Sequence, residues 1–104
     1  MNTHIHHIHR FQNATSFNAG HIHHMVGETS YEIPVGMSHV HSYHGVTSLD
    51  NAHVHHFAGT TSPSIPLPGG GHTHRYYGPT TFDHGHRHIY DALTGNEQST
   101  RLFA

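Results

Sequence analysis

The 104 residues contain no cysteine, no lysine and no tryptophan, and only 33% of them are apolar. Without cysteine there are no disulfide staples and no thiolate metal ligands. Without lysine, four arginines stand against six acidic residues, and the formal charge of −2 offers no footprint for a phosphate backbone, so nucleic acid is not expected as a partner. No apolar run approaches the roughly twenty residues of a membrane span, and the N-terminus lacks the basic-then-apolar order of a secretory signal. Synthesis in the cytoplasm is the simple inference, and extracellular or cell-surface assembly is also compatible. The chain is one domain in size, and so thin an apolar content leaves burial struggling against chain entropy. With disulfides excluded, metal or self-assembly must supply the missing cohesion.

Histidine fills the gap: there are 18. Twelve of them form six copies of His-x-His-x-(Phe/Tyr/Met)-x-x-x-Thr, with pairs at His7 and His9, His21 and His23, His39 and His41, His53 and His55, His72 and His74, and His86 and His88. The fifth position of each unit is Phe11, Met25, Tyr43, Phe57, Tyr76 or Tyr90, and the ninth is Thr15, Thr29, Thr47, Thr61, Thr80 or Thr94. Such agreement over six units sets a register that biased composition does not produce. Starts lie 14, 18, 14, 19 and 14 residues apart, so the true period is a pair of units, three double repeats of about 32 or 33 residues. The longer gaps hold Ile33-Pro-Val-Gly36 and Ile65-Pro-Leu-Pro-Gly-Gly-Gly71, and the shorter ones the tight turns Asn18-Ala-Gly20, Asp50-Asn-Ala52 and Asp83-His-Gly85.

Alternation at period two, with β-branched and aromatic residues between frequent breakers, predicts an all-β fold of short strands and hairpins. Each His pair and its aromatic residue would share one strand face, a turn would pass through Gly27, Gly45, Gly59 or Gly78, and a second strand would begin at the Thr. Imidazoles two residues apart point the same way. Pairs on adjacent strands can converge at the zinc–nitrogen distance in a closed four-His site, or three stacked pairs can share ligands in a ladder. Direct adjacency of His strands favours a solenoid-like or stacked-sheet arrangement, with the threonines hydrogen-bonded in a ladder of their own and the aromatics walling the metal row. Ile8, Ile22, Val40, Val54 and Ile89 would occupy the opposite face.

These twelve histidines are the expected ligands. All-imidazole sites suit zinc, copper or nickel, and haem, which histidine also ligates, stays open. His4, His6, His24, His44, His56 and His84 fall outside the register and are expected to be solvated. Residues 1–6 carry a truncated unit, a strand for exchange between subunits; residues 7–95 form the repeat domain and 96–104 a tail. The expected function is a non-enzymatic metal-binding protein whose partner is itself, as a homo-oligomer or filament. The alternatives are a soluble metal store or buffer, a metal-dependent hydrolase, and exposed histidines forming a pH-sensitive surface. The hydrolase is the weakest, because one pair repeated six times does not resemble a single dedicated pocket.

His53-Val-His-His-Phe-Ala-Gly-Thr-Thr61 and Ile65-Pro-Leu-Pro-Gly-Gly-Gly-His72-Thr-His74 resemble the YmaF-like family of small histidine-rich bacterial proteins. The likeness runs from His7 to Gly95. It implies no activity or established fold and adds no catalytic residue.

Overall fold

A computed structural model describes residues 6–99 of the chain. Among these residues there is no helix, hence none long and apolar enough to cross a membrane. The strands are β1 (His7–Ala14), β2 (His24–Glu28), β3 (Ile33–Val35), β4 (Ser38–Val40), β5 (Ser42–Val46), β6 (His56–Thr60), β7 (Ile65–Pro66), β8 (His72–Thr73), β9 (Arg75–Pro79), β10 (Ile89–Leu93) and β11 (Glu97–Ser99).

Three antiparallel hairpins carry the architecture. β1 pairs β2 with Phe11 opposite Gly27, β5 pairs β6 with Tyr43 opposite Gly59, and β9 pairs β10 with Tyr90 opposite Gly78. The proline-containing gaps form the small ribbons β3–β4 and β7–β8, and β11 pairs the outer end of β1, with His9 opposite Glu97.

The hairpins are tied in a cycle. The Ser48 amide donates to the His24 carbonyl at 2.9 Å, Thr81 to His56 at 2.9 Å, and Ser16 to Ile89 at 2.8 Å. A second set of backbone bonds (Ser30 to Ser42, Ser62 to Arg75, Gly95 to Arg10) does the same at the other end of the hairpins. The fold is all-β in small antiparallel sheets, and the expected solenoid-like arrangement does not form among the described residues. Each strand pairs within its own two- or three-stranded sheet, and the hairpins gather side by side around a shared interior instead of stacking along an axis.

That interior is the set Phe11, Met25, Tyr43, Phe57, Tyr76 and Tyr90, all buried in one cluster. Burial follows the alternation: in β2, β6, β9 and β10 only the fifth residue of the unit is fully buried. The rings pack at 5.3–6.4 Å in tilted or edge-to-face pairs, which suits aromatic quadrupoles. Their polar ends are satisfied, because the Tyr43 and Tyr90 hydroxyls pair at 2.8 Å and Tyr76 donates to Asn13 Oδ1 at 2.6 Å. Ile8, Ile22, Val40 and Val54 are half-buried on the other face, and Ile89 is exposed.

Gly27, Gly45, Gly59 and Gly78 lie within strands, not in the turns expected of them. Their role is space. A Cβ at Gly27 or Gly45 would sit 2.6 Å from the opposed Phe11 or Phe57 ring, and one at Gly59 2.5 Å from the Tyr43 hydroxyl. The core aromatic on one strand lies over bare backbone on its partner. Of the proposed exchange segment 1–6, only His6 is among the described residues; it bonds Glu32 at 3.0 Å and stacks on Tyr31.

Candidate metal centres

Each hairpin brings one His pair to either end. In β1 the pair His7 and His9 enters the strand before Phe11, while His21 and His23 precede β2. The same holds for the other two hairpins. His21, His53 and His86 are set by two-residue turns in which Ala19 and Gly20, Asn51 and Ala52, and His84 and Gly85 all have positive φ; Asn18, Asp50 and Asp83 bridge across these turns to the histidine. This is the primed turn geometry that matches strand twist.

Two clusters result. His7, His9, His39, His41, His72 and His74 form the first, and His21, His23, His53, His55, His86 and His88 the second; within each, the ligand nitrogens lie within 4.8 Å of one another. All twelve expected ligands are thus brought together, in sixes instead of the fours of a tetrahedral site. Six residue steps along β1 separate His9 of the first cluster from Thr15, whose hydroxyl accepts the His23 amide of the second, a rise of about 20 Å, and the aromatic core fills the space between. The aromatics therefore plug the gap between two centres and do not wall a single row.

Nearest Nε2 atoms are 3.0–3.2 Å apart in the first cluster and 3.1–3.3 Å in the second. Each ring packs edge to face on every other ring of its cluster except one. The opposed pairs are His7 with His74, His9 with His39 and His41 with His72. In the second cluster they are His21 with His55, His23 with His86 and His53 with His88. That is the connectivity of an octahedron. Metal–nitrogen bonds of about 2.2 Å would place adjacent nitrogens about 3.1 Å apart, as the nearest ones are, and opposed ones about 4.4 Å apart, inside the 4.8 Å span of each cluster.

The tautomers follow from the outer nitrogens. Nδ1 of His9, His23, His41, His55, His74 and His88 lies 2.8–2.9 Å from the carbonyl of Gly95, Ser48, Ser30, Thr81, Ser62 and Ser16 respectively. A carbonyl only accepts, so each Nδ1 carries the proton and each Nε2 presents a bare lone pair to the cluster centre. His21, His53 and His86 do the same to Ala19, Asn51 and His84 at 3.0–3.1 Å, and His72 Nδ1 meets Glu97 at 2.6 Å. Nε2 of His41, His74 and His88 is buried with no hydrogen-bond partner among the described residues. Burial, reinforced by repulsion from neighbouring imidazoles, lowers the pKa of His41 to about 4 and of His74 to about 3, and shifts His9, His55 and His88 the same way. Neutral imidazoles with convergent lone pairs are the form that ligates a cation.

The threonines act as clamps. Thr29, Thr61 and Thr94 accept the backbone N–H of His9, His41 and His74 at 3.1 Å, and Thr15, Thr47 and Thr80 those of His23, His55 and His88 at 2.9–3.0 Å. The expected Thr ladder is absent among these six, because every hydroxyl is turned toward a histidine across its hairpin. Sequence reasoning missed the residue after each Thr, whose carbonyl orients the next ring. Ser16, Ser30, Ser48, Ser62 and Thr81 also accept a backbone amide through their hydroxyls, and the signal was a hydroxyl residue at that place in five units of six. His24, His44 and His56 are exposed, His84 stacks on His53 at 4.7 Å, and His4 lies outside the described residues.

No curated protein matches this chain, and neither does any solved structure. Residues 2–95 match the YmaF family, described as spore germination protein GerY/YamF. With nearly the whole chain matched, including all twelve clustered histidines, the protein belongs to the YmaF family.

Proposed function

We propose that this protein is a non-enzymatic metal-binding protein that holds one transition-metal ion in each six-histidine cluster, the two ions cross-linking its three hairpins. The observation that carries the reading is the set of Nε2 atoms held face to face at 3.0–3.3 Å at the centre of each cluster. Lone pairs so close repel unless a cation or shared protons lie between them, and in the second cluster the Nδ1–carbonyl bonds of His21 and His53 leave their 3.3 Å Nε2 contact no proton to share. Six protein nitrogens fill a coordination sphere and leave no vacant position for substrate, which argues for a structural or storage role over hydrolysis.

Self-assembly, as oligomer or filament, belongs to this reading only through surfaces other than the His pairs, which find their partners within one chain. The family's description supplies the setting, spore germination, which we extend to this chain. A soluble metal buffer is the second reading. The half-buried state of His7, His39 and His72 at one end, and of His21 and His86 at the other, favours it by giving the ions a way out.

Metal analysis of untagged protein never exposed to a nickel column tests the proposal. It should find two equivalents per chain, and a chelator should lower the melting temperature; occupancy at a hundred times Kd stabilises by about 2.7 kcal/mol per site. Metal lost without any change in melting favours the buffer, and size measured with and without chelator tests assembly. A fully folded protein that takes up no metal sinks both readings.

A further inference from the structure

We propose that each cluster is built for a divalent first-row ion that keeps six equal nitrogen bonds, namely manganese, iron, cobalt or nickel, in preference to zinc or copper. The proposal rests on the metal-binding reading and narrows it to a class of ion.

The argument is geometric. Zinc(II) gains nothing from an octahedral field and settles at four ligands in closed protein sites. In either cluster it would use four nitrogens and strand two with their lone pairs unmatched. In the second cluster the stranded rings have no easy retreat, because Nδ1 of all six is bonded to a carbonyl and the backbone amides of His23, His55 and His88 are clamped by threonine. Copper(II) favours tetragonal sites in which two bonds are long. The nearest nitrogens here are nearly equidistant, and rings packed at 4.5–5.2 Å on all sides resist drawing two of them outward. Nickel(II), cobalt(II), iron(II) and manganese(II) accept six-coordination without that distortion. An imidazole site free to adapt its shape would rank copper above all four of these ions and hold zinc with four nitrogens. Reversed selectivity is therefore the signature of a site whose shape, and not its ligand type alone, makes the choice.

Cobalt(II) reports its own geometry. The full chain, stripped with chelator, would be titrated with cobalt(II) chloride while the visible spectrum is recorded, and then loaded from an equimolar mixture of nickel(II) and zinc(II). Two cobalt ions per chain with the weak bands of a six-coordinate ion, and nickel outnumbering zinc at least tenfold after gel filtration, are expected. Intense four-coordinate bands, or zinc in excess over nickel, overturn this inference while leaving metal binding intact. Failure of cobalt, nickel and zinc alike to bind a folded chain removes the metal-binding reading and the inference with it.

Discussion

Replacing Thr29 by valine removes one hydroxyl and almost no volume. That hydroxyl accepts the His9 amide at 3.1 Å, donates to the Ser30 carbonyl at 2.9 Å and lies 3.3 Å from His41 Nδ1, all in a buried setting. Leaving the His9 amide unsatisfied costs about 1–3 kcal/mol, against which the added methyl returns at most about 0.8 kcal/mol. A net loss of about 0.2–2 kcal/mol lowers the melting temperature of a domain this size by roughly 1–16 °C. Because Thr29 orients only ligands of the first cluster, metal affinity should fall there by about 10–100-fold and stay unchanged in the second. Thr15→Val is the mirror experiment, since Thr15 clamps His23 of the second cluster. Calorimetric metal titration of both variants, with melts of loaded and stripped protein, reads the effect. Equal loss at the two sites, or a Thr29→Val protein with wild-type melting and affinity, would refute the clamp.

Acidity should act in one direction. Because burial holds His41 and His74 at about 4 and about 3, below the roughly 6.5 of an unfolded histidine, the folded state refuses protons that the unfolded state accepts. Stability of stripped protein is therefore undiminished above pH 6.5 and declines as pH falls from there toward 4; urea midpoints that stay level between pH 7.5 and 4.5 would contradict this. Gly59→Ala puts a Cβ 2.5 Å from a Tyr43 hydroxyl already bonded to Tyr90, and should cost about 1–3 kcal/mol in urea melts. Gly78→Ala, with Tyr90 at 3.2 Å, should cost less, and the reverse order would show that the rings give way easily.

The His-x-His spacing made the ligand pairs legible, and the 32- or 33-residue period already grouped His7, His39 and His72 apart from His21, His53 and His86. The arrangement of those groups in space was not legible. Period alone does not separate stacking along an axis from convergence on a point; the decision lies in bonds such as Ser48 to His24 and Ser16 to Ile89, between residues far apart in sequence. The size of each cluster follows the same logic, because adjacent strands suggest pairs of pairs and only a third hairpin brings His72 and His74 beside His7, His9, His39 and His41. The misread glycines have a physical reason too. A glycine within a strand looks like a turn until the ring lying over it is known, as Phe11 lies over Gly27.

Each cluster draws its ligands from all three hairpins, and this orders events during synthesis. When the first sixty residues have emerged, four imidazoles of either set are available, and His72, His74, His86 and His88 are still to come. Neither sixfold cage can close before the last third of the chain leaves the ribosome. A chain cut short before His72 brings no more than four imidazoles to either cluster, so the proposed sixfold sites require all three hairpins.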